Sequence, residues 1–176
     1  MDIRWGCRRA LKEEILSLEH FTDSLRAVMN YWSGLGGEDL RCGWKQFDLM
    51  AIPKPLLPST MVVDIGATME DNRFRYWGSQ MTEIRGSDRT GCSPYDITPK
   101  ELAQAFYDSH ADIINNPRWT AHSYEFEWST GVEHKHHVLR LPLSDDGETV
   151  SQIVVIADFS QSYASGNEEL LYGPPA

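Results

Sequence analysis

Three histidines crowd one short stretch, His134, His136 and His137, with Glu125 and Glu127 a few residues upstream. Imidazole nitrogens and carboxylate oxygens are the ligands of a zinc site. If Thr130-Gly131 is a two-residue turn, a hairpin sets Glu127 opposite His134 and Glu125 opposite His136, all on one strand face. Such a quartet could hold a metal. It could equally be a set of exposed cross-strand charge pairs, and no residue stands out to orient the ligands from behind. The charge pairs are the commoner outcome, so no metal site is expected.

His110 is the second candidate. It follows Phe106 by four residues and precedes Ile113 by three, which places all three on one helix face. A neutral imidazole facing a cavity could ligate haem iron; it could also be a boundary histidine bonded to a neighbour. The aromatic set Phe74, Tyr76, Trp77, Tyr95, Phe106, Tyr124 and Phe126, with Leu139 and Leu141, could line a pocket for a planar ligand. Filling a core is the commoner use of such residues. Cys7, Cys42 and Cys92 form no CxxC pair, so neither a zinc ribbon nor a redox pair is present. There is no nucleophile elbow, phosphate loop, zinc-protease helix or dinucleotide fingerprint. No acidic residue pairs convincingly with a buried base, and no enzyme is expected.

The elements that must position these residues follow from periodicity. Leu11, Ile15, Leu18, Leu25, Val28, Met29 and Trp32 recur at three- and four-residue steps, which predicts a helix over 8–32. Its apolar stripe packs on its own domain or pairs with a second copy, and it supplies the dimer-helix candidates Leu11, Ile15, Leu18, Leu25, Val28 and Trp32. Residues 34–60 are a connection limited by Pro53, Pro55 and Pro58, with room for one helical turn around 47–52. Strands are predicted at 61–65 and 73–80, joined as a hairpin, with Phe74 and Tyr76 on one face and Trp77 on the other. Thr98, Pro99 and Glu101 mark a helix start, and Pro117 its stop. Alternation predicts further strands at 120–128 and 134–143, and an apolar run predicts one at 153–159. The result is an α+β domain: an antiparallel sheet of about five strands, helices on one face, an N-terminal flanking helix over 1–33, a core over 61–160 and a frayed tail over 161–176.

The 176-residue length suits one domain, and 41% hydrophobic with 24% charged residues is ordinary globular composition. A formal net charge of -10 repels phosphate backbones, so no nucleic-acid partner is expected. Arg4, Arg8 and Arg9, diluted by Glu13 and Glu14, are read as a solvated face. No apolar run is long enough for a membrane span, no secretory h-region follows the arginines, and scattered thiols fit a reducing compartment; a cytoplasmic location is expected.

The order of elements, with Tyr31-Trp32, residues 45–58, the stretch Arg73-Phe74-Arg75-Tyr76-Trp77-Gly78-Ser79 and the spaced Gly86, Asp88, Thr90 and Gly91, resembles PAS domains, and in particular a bacterial single-domain branch of them. The likeness covers about residues 25–160. It implies a sheet curled around a small cavity closed by helices, which in PAS domains holds haem, flavin or a metabolite or is filled by side chains. Haem-binding members take their axial histidine from a helix placed like the one bearing His110. Flavin adduct chemistry would need a cysteine in a helical setting that Thr90-Gly91-Cys92-Ser93-Pro94 lacks. The likeness implies a sensory or regulatory module that binds a small ligand or protein and signals through protein contacts, as a homodimer. The alternatives are a ligand-free scaffold dimerising through its N-terminal helix and a small enzyme of a cone-shaped fold.

Overall fold

In the computed structural model, which describes residues 7–98, 100–128 and 133–161, a strand sits where the sequence predicts the start of a helix. The side chains of 7–12, 101, 126–128, 133 and 134 lie outside the description. Strand β1 (Cys7–Ile15) pairs antiparallel with β4 (Thr120–Trp128), and only Asp23–Gly34 is helical (α1). The real helix start is Thr22, whose hydroxyl accepts the Leu25 N–H, with Asp23 favourably placed in the first turn. The chain then runs through short 3-10 turns to β2 (Thr60–Asp64), β3 (Arg73–Trp77), α2 (Ser79–Arg85), α3 (Lys100–Asn115), β4, β5 (Glu133–Leu143) and β6 (Gln152–Asp158). One of those turns, Leu49–Ala51, falls inside the predicted 47–52 segment.

The sheet has six strands in the order β1-β4-β5-β6-β2-β3, all neighbours antiparallel. It exceeds the expected five because β1 joins the edge of β4. Helices α2 and α3 cover one face, and α1, the helical part of the expected flanking segment, covers the other. On the first face α1 buries Leu25, Val28, Met29 and Trp32 against Val62, Leu139, Leu141, Leu143, Val154 and Ile156. Each such side chain is worth about 1.5–3 kcal/mol when fully buried. The Trp32 indole N–H donates to the Pro142 carbonyl at 3.0 Å and pins α1 to β5. A Cβ at Gly37 would lie 2.1 Å from that indole, so the turn after α1 tolerates no side chain there. On the second face α2 and α3 cover Met61, Val63, Phe74, Val138, Ile153, Val155 and Ala157. β6 is buried along its whole length, alternate residues serving each layer.

This burial corrects the dimer-helix expectation. Leu25, Val28 and Trp32 are enclosed by the chain's own sheet. Ile15 lies in β1 and Leu18 in a separate 3-10 turn, exposed at 86% and 44%, and the Leu11 side chain lies outside the description. The expected tail lies outside the described residues from 162 onward. Among the described residues no helix is long and apolar enough to cross a membrane.

Candidate functional site

The α2/α3 side of the sheet gathers most of the aromatic candidates, and a β-bulge makes this possible. Val62 pairs with Tyr76 but Val63 with Phe74, leaving Arg75 as the extra residue. Phe74 and Trp77, three residues apart, therefore share one face, with ring centroids 4.7 Å apart. Tyr76 turns to the α1 side, the reverse of strict alternation. From α3, Ala103, Phe106, His110 and Ile113 recur at three- and four-residue steps and pack toward the same face. Phe106 lies edge-on to Phe74 at 6.2 Å and to His110 at 5.6 Å.

His110 is fully buried, and a relay of hydrogen bonds fixes its tautomer. The Gly66 N–H donates to Asn72 Oδ1 at 2.8 Å, which orients the amide so that Nδ2 donates to the Tyr95 hydroxyl at 2.7 Å. Tyr95 is pushed up to about 12, chiefly by burial, so it keeps its proton. That proton has two acceptors in reach, His110 Nδ1 at 3.2 Å and the Met69 sulfur at 3.9 Å. An imidazole nitrogen is far the better acceptor. Burial, helped by the charge of Arg140, holds His110 down to about 3, so the ring is neutral with its hydrogen on Nε2. That Nε2–H is buried and finds no partner.

Arg140 sits at mid-strand in β5, between Thr120 of β4 and Val155 of β6, and is 5% exposed. Its Nη1 donates to His122 Nδ1 at 3.4 Å and its Nη2 to the Tyr124 hydroxyl at 3.2 Å; Tyr124 in turn donates to Glu13 of β1 at 2.9 Å. His122 is lowered by burial first and by Arg140 second, consistent with a neutral acceptor. The Arg140 Nε–H has no partner, nor has the Thr120 hydroxyl beside it. Among the described residues no carboxylate forms an ion pair with Arg140. A buried guanidinium held only by neutral acceptors is an expensive arrangement.

Of the ligand-pocket candidates, Phe74, Trp77, Phe106 and His110 come together on this face, Tyr95 bonds to His110, and Tyr124 packs at its border. Leu139 and Leu141 belong to the α1 layer with Tyr76, and the Phe126 side chain lies outside the description. The metal quartet fails on register: Glu125 pairs with Lys135, and His136 with Tyr124, because the hairpin is one residue out from the expected pairing. Glu125 forms an ion pair with Lys135 at 3.2 Å, while His136 stacks between Tyr124 and Phe159. The side chains of Glu127 and His134 lie outside the description. A haem iron on His110 would require the other tautomer, with the ring hydrogen on Nδ1 donated to the Tyr95 hydroxyl oxygen. Cys92 is exposed in a turn, where its carbonyl accepts the Phe74 N–H at 3.0 Å. Arg140 and Asn72 were not singled out from sequence. The signal for Arg140 was its place within Leu139-Arg140-Leu141-Pro142-Leu143, where apolar neighbours make an arginine costly.

The opposite face carries an open cleft of about 710 Å³ lined by Glu14, Ile15, Leu16, His20, Ser123, Lys135, His137 and Gln161. Ser123, His137 and Asp158 stand side by side in register on β4, β5 and β6. They are not a catalytic triad. The Asp158 carboxylate accepts from the Thr22 hydroxyl at 2.6 Å and the Ser160 N–H at 2.9 Å, while Ser123 Oγ and His137 Nδ1 have no partner.

Five strands in the order β3-β2-β6-β5-β4, with α2 and α3 inserted between β3 and β4 to cover one face, define a PAS-like fold, here extended by β1. No family model matches the sequence, and no curated protein matches it. Solved structures that match include VqmA bound to DPO, 15% identical over 58% of this chain and 52% of that one, with a TM-score of 0.44. A Vibrio cholerae VqmA dimer, described as a LuxR-type receptor with a target DNA, is 15% identical over 60% of this chain and 48% of that one, TM-score 0.45. The dark state of the blue-light photoreceptor Aureochrome1 LOV domain is 16% identical over 71% and 94%, TM-score 0.44. The chain spans about half the length of the VqmA chains it matches. The expectation that this chain takes no nucleic acid is withdrawn: the matching structures include VqmA, whose description names a target DNA, and a net charge of -10 does not decide the matter.

Proposed function

We propose that this chain is a sensory or regulatory PAS-like module that takes a small ligand between α3 and the sheet and passes its state on through protein contacts. One observation carries the reading: on the α3 side of the sheet His110 and Arg140, both buried, each keep an N–H without a partner, and among the described residues Arg140 has no carboxylate paired with it. Buried polar atoms are nearly always paired, so a buried guanidinium and a buried imidazole with open N–H groups on one face mark a missing partner. Arg140 also supports an output route. Through Tyr124 it is linked to Glu13 on the edge strand β1, so a ligand that draws the guanidinium away loosens a contact to the N-terminal segment. The reading is of a binding module rather than an enzyme. The His110 nitrogen left open holds a hydrogen, which suits it to grip a ligand and not to take a proton.

Gentle native mass spectrometry of freshly purified protein, paired with amide exchange, tests this. The expected result is an adduct of fixed mass, with β1 exchanging faster or slower once the adduct is stripped. A bare mass, together with no change in melting temperature on adding a metabolite extract, would sink the proposal.

A further inference from the structure

Resting on that reading, we infer that the ligand is a small carboxylate with an apolar body, its oxygens held by the Arg140 Nε–H and the His110 Nε2–H. The hydrogen-bonding sense of the orphans decides this. On the α3 side of the sheet the described groups without partners include the Arg140 Nε–H, the His110 Nε2–H, the Trp77 indole N–H and the Thr120 hydroxyl. Of these, the hydroxyl can donate or accept and the rest are donors. A ligand that offers donors, such as an amine, finds only the Thr120 hydroxyl to receive them and meets the guanidinium charge. A wholly apolar ligand leaves every orphan unpaired.

Charge points the same way. Arg140 is buried, and among the described residues no carboxylate pairs with it. Glu13 is reached only through Tyr124. His122 and His110, the other titratable groups touching or facing the guanidinium, are neutral bases. The layer therefore holds one uncompensated positive charge, and a monoanion closes the balance. The remainder of the ligand meets Phe74, Phe106, Val138 and Val155, which is why its body is apolar. The guanidinium grips a carboxylate side-on, and the neutral imidazole adds a second donor whose direction the Asn72–Tyr95 relay has already set.

A panel of hexanoate, benzoate and succinate, each matched with its neutral amide, tests the inference by thermal shift and by NMR of the Arg140 Nε–H, assigned with Arg140→Lys. The expected result is that at least one monocarboxylate raises the melting temperature and moves the Nε–H resonance while its amide binds at least about tenfold more weakly. His110→Phe, which keeps the ring packing, and Arg140→Lys, which keeps the charge, should each weaken binding by about tenfold or more. Amides that bind as well as acids would overturn the carboxylate assignment and leave the binding-module reading standing. If no acid shifts the resonance while native spectra show a retained neutral molecule, the assignment again fails alone. Bare spectra and a silent panel remove both. Because the NMR readout is made on the unaltered chain, a variant that fails to fold does not shield the proposal.

Discussion

Replacing Arg140 with methionine should make the ligand-free protein more stable. The guanidinium is 5% exposed, and burying an ion still costs several kcal/mol after relaxation. In return it makes two hydrogen bonds to neutral acceptors, at 3.2 and 3.4 Å, at and beyond the long end of the usual range, and so worth about 1.5 kcal/mol each, the low end for a charged donor. Methionine follows the same path as the arginine stem among Val138, Val155 and their neighbours without the charge. The acceptors left behind suffer little, since Tyr124 still donates to Glu13 and His122 is only half-buried. The balance favours Arg140→Met by about 1–3 kcal/mol. For a chain of this size about 2 kcal/mol corresponds to a rise of roughly 4–8 °C in Tm. The measurement is urea unfolding of both proteins after refolding from denaturant, which strips any bound molecule. A loss of more than about 1 kcal/mol in the variant would show that the arginine is satisfied by the fold itself, and the case for a missing partner would fall with it.

Acid should destabilise the protein well above the carboxylate range. Folding lowers the pKa of His110, His122 and His137, each chiefly by burial, so the unfolded chain binds protons that the native chain refuses once pH drops below about 6.5. Stability is then lost as pH falls, by up to about 1.4 kcal/mol per pH unit per fully linked histidine, and His110→Phe should flatten the slope between about pH 6.5 and pH 4.5. A urea midpoint flat across that window in the parent protein would contradict the buried neutral imidazoles. Gly78→Ala should cost roughly 1–3 kcal/mol, because the added Cβ would lie 2.1 Å from the Pro58 carbonyl oxygen; wild-type-like thermal melting would refute the close approach. A thiol reagent should label Cys92 at once and Cys42 only on unfolding, since burial pushes the Cys42 thiol up to about 11; rapid native labelling of Cys42 would place it at the surface.

Much of the fold was legible. Alternation located β4 and β5, the apolar run located β6, and helical spacing located α3 and the stripe of α1. The N-terminal error came from periodicity that continued by accident: Leu11, Ile15 and Leu18 keep the step of Leu25 to Trp32, although the cap at Thr22 separates them. What settles those residues is non-local, the open edge of β4 that β1 fills. The seven-residue α2 was not located, and the expected strand ran on to residue 80, as Met81 and Ile84 alone carry the helix's buried face. The candidate site was legible in part. His110 followed from spacing, but a one-residue bulge at Arg75 re-aimed Trp77, and no local pattern announces such a bulge. Arg140 was passed over because its burial follows from α3 covering its side of the sheet. That cover is a contact between distant parts of the chain, which a strand's own sequence only hints at.

The double cover of the sheet has a consequence for how the molecule comes apart and how its sequence can drift. β6 gives Val154 and Ile156 to one layer and Ile153, Val155 and Ala157 to the other, so each layer's floor is the other's ceiling. A side chain trimmed on either side moves the backbone on which the other is seated. Neither layer can melt alone, and the amides of β6 should exchange only when the whole domain opens. Helices α1 and α3 each keep an outer surface on which substitutions can accumulate freely; β6 has no such surface, and its sequence answers to two cores at once.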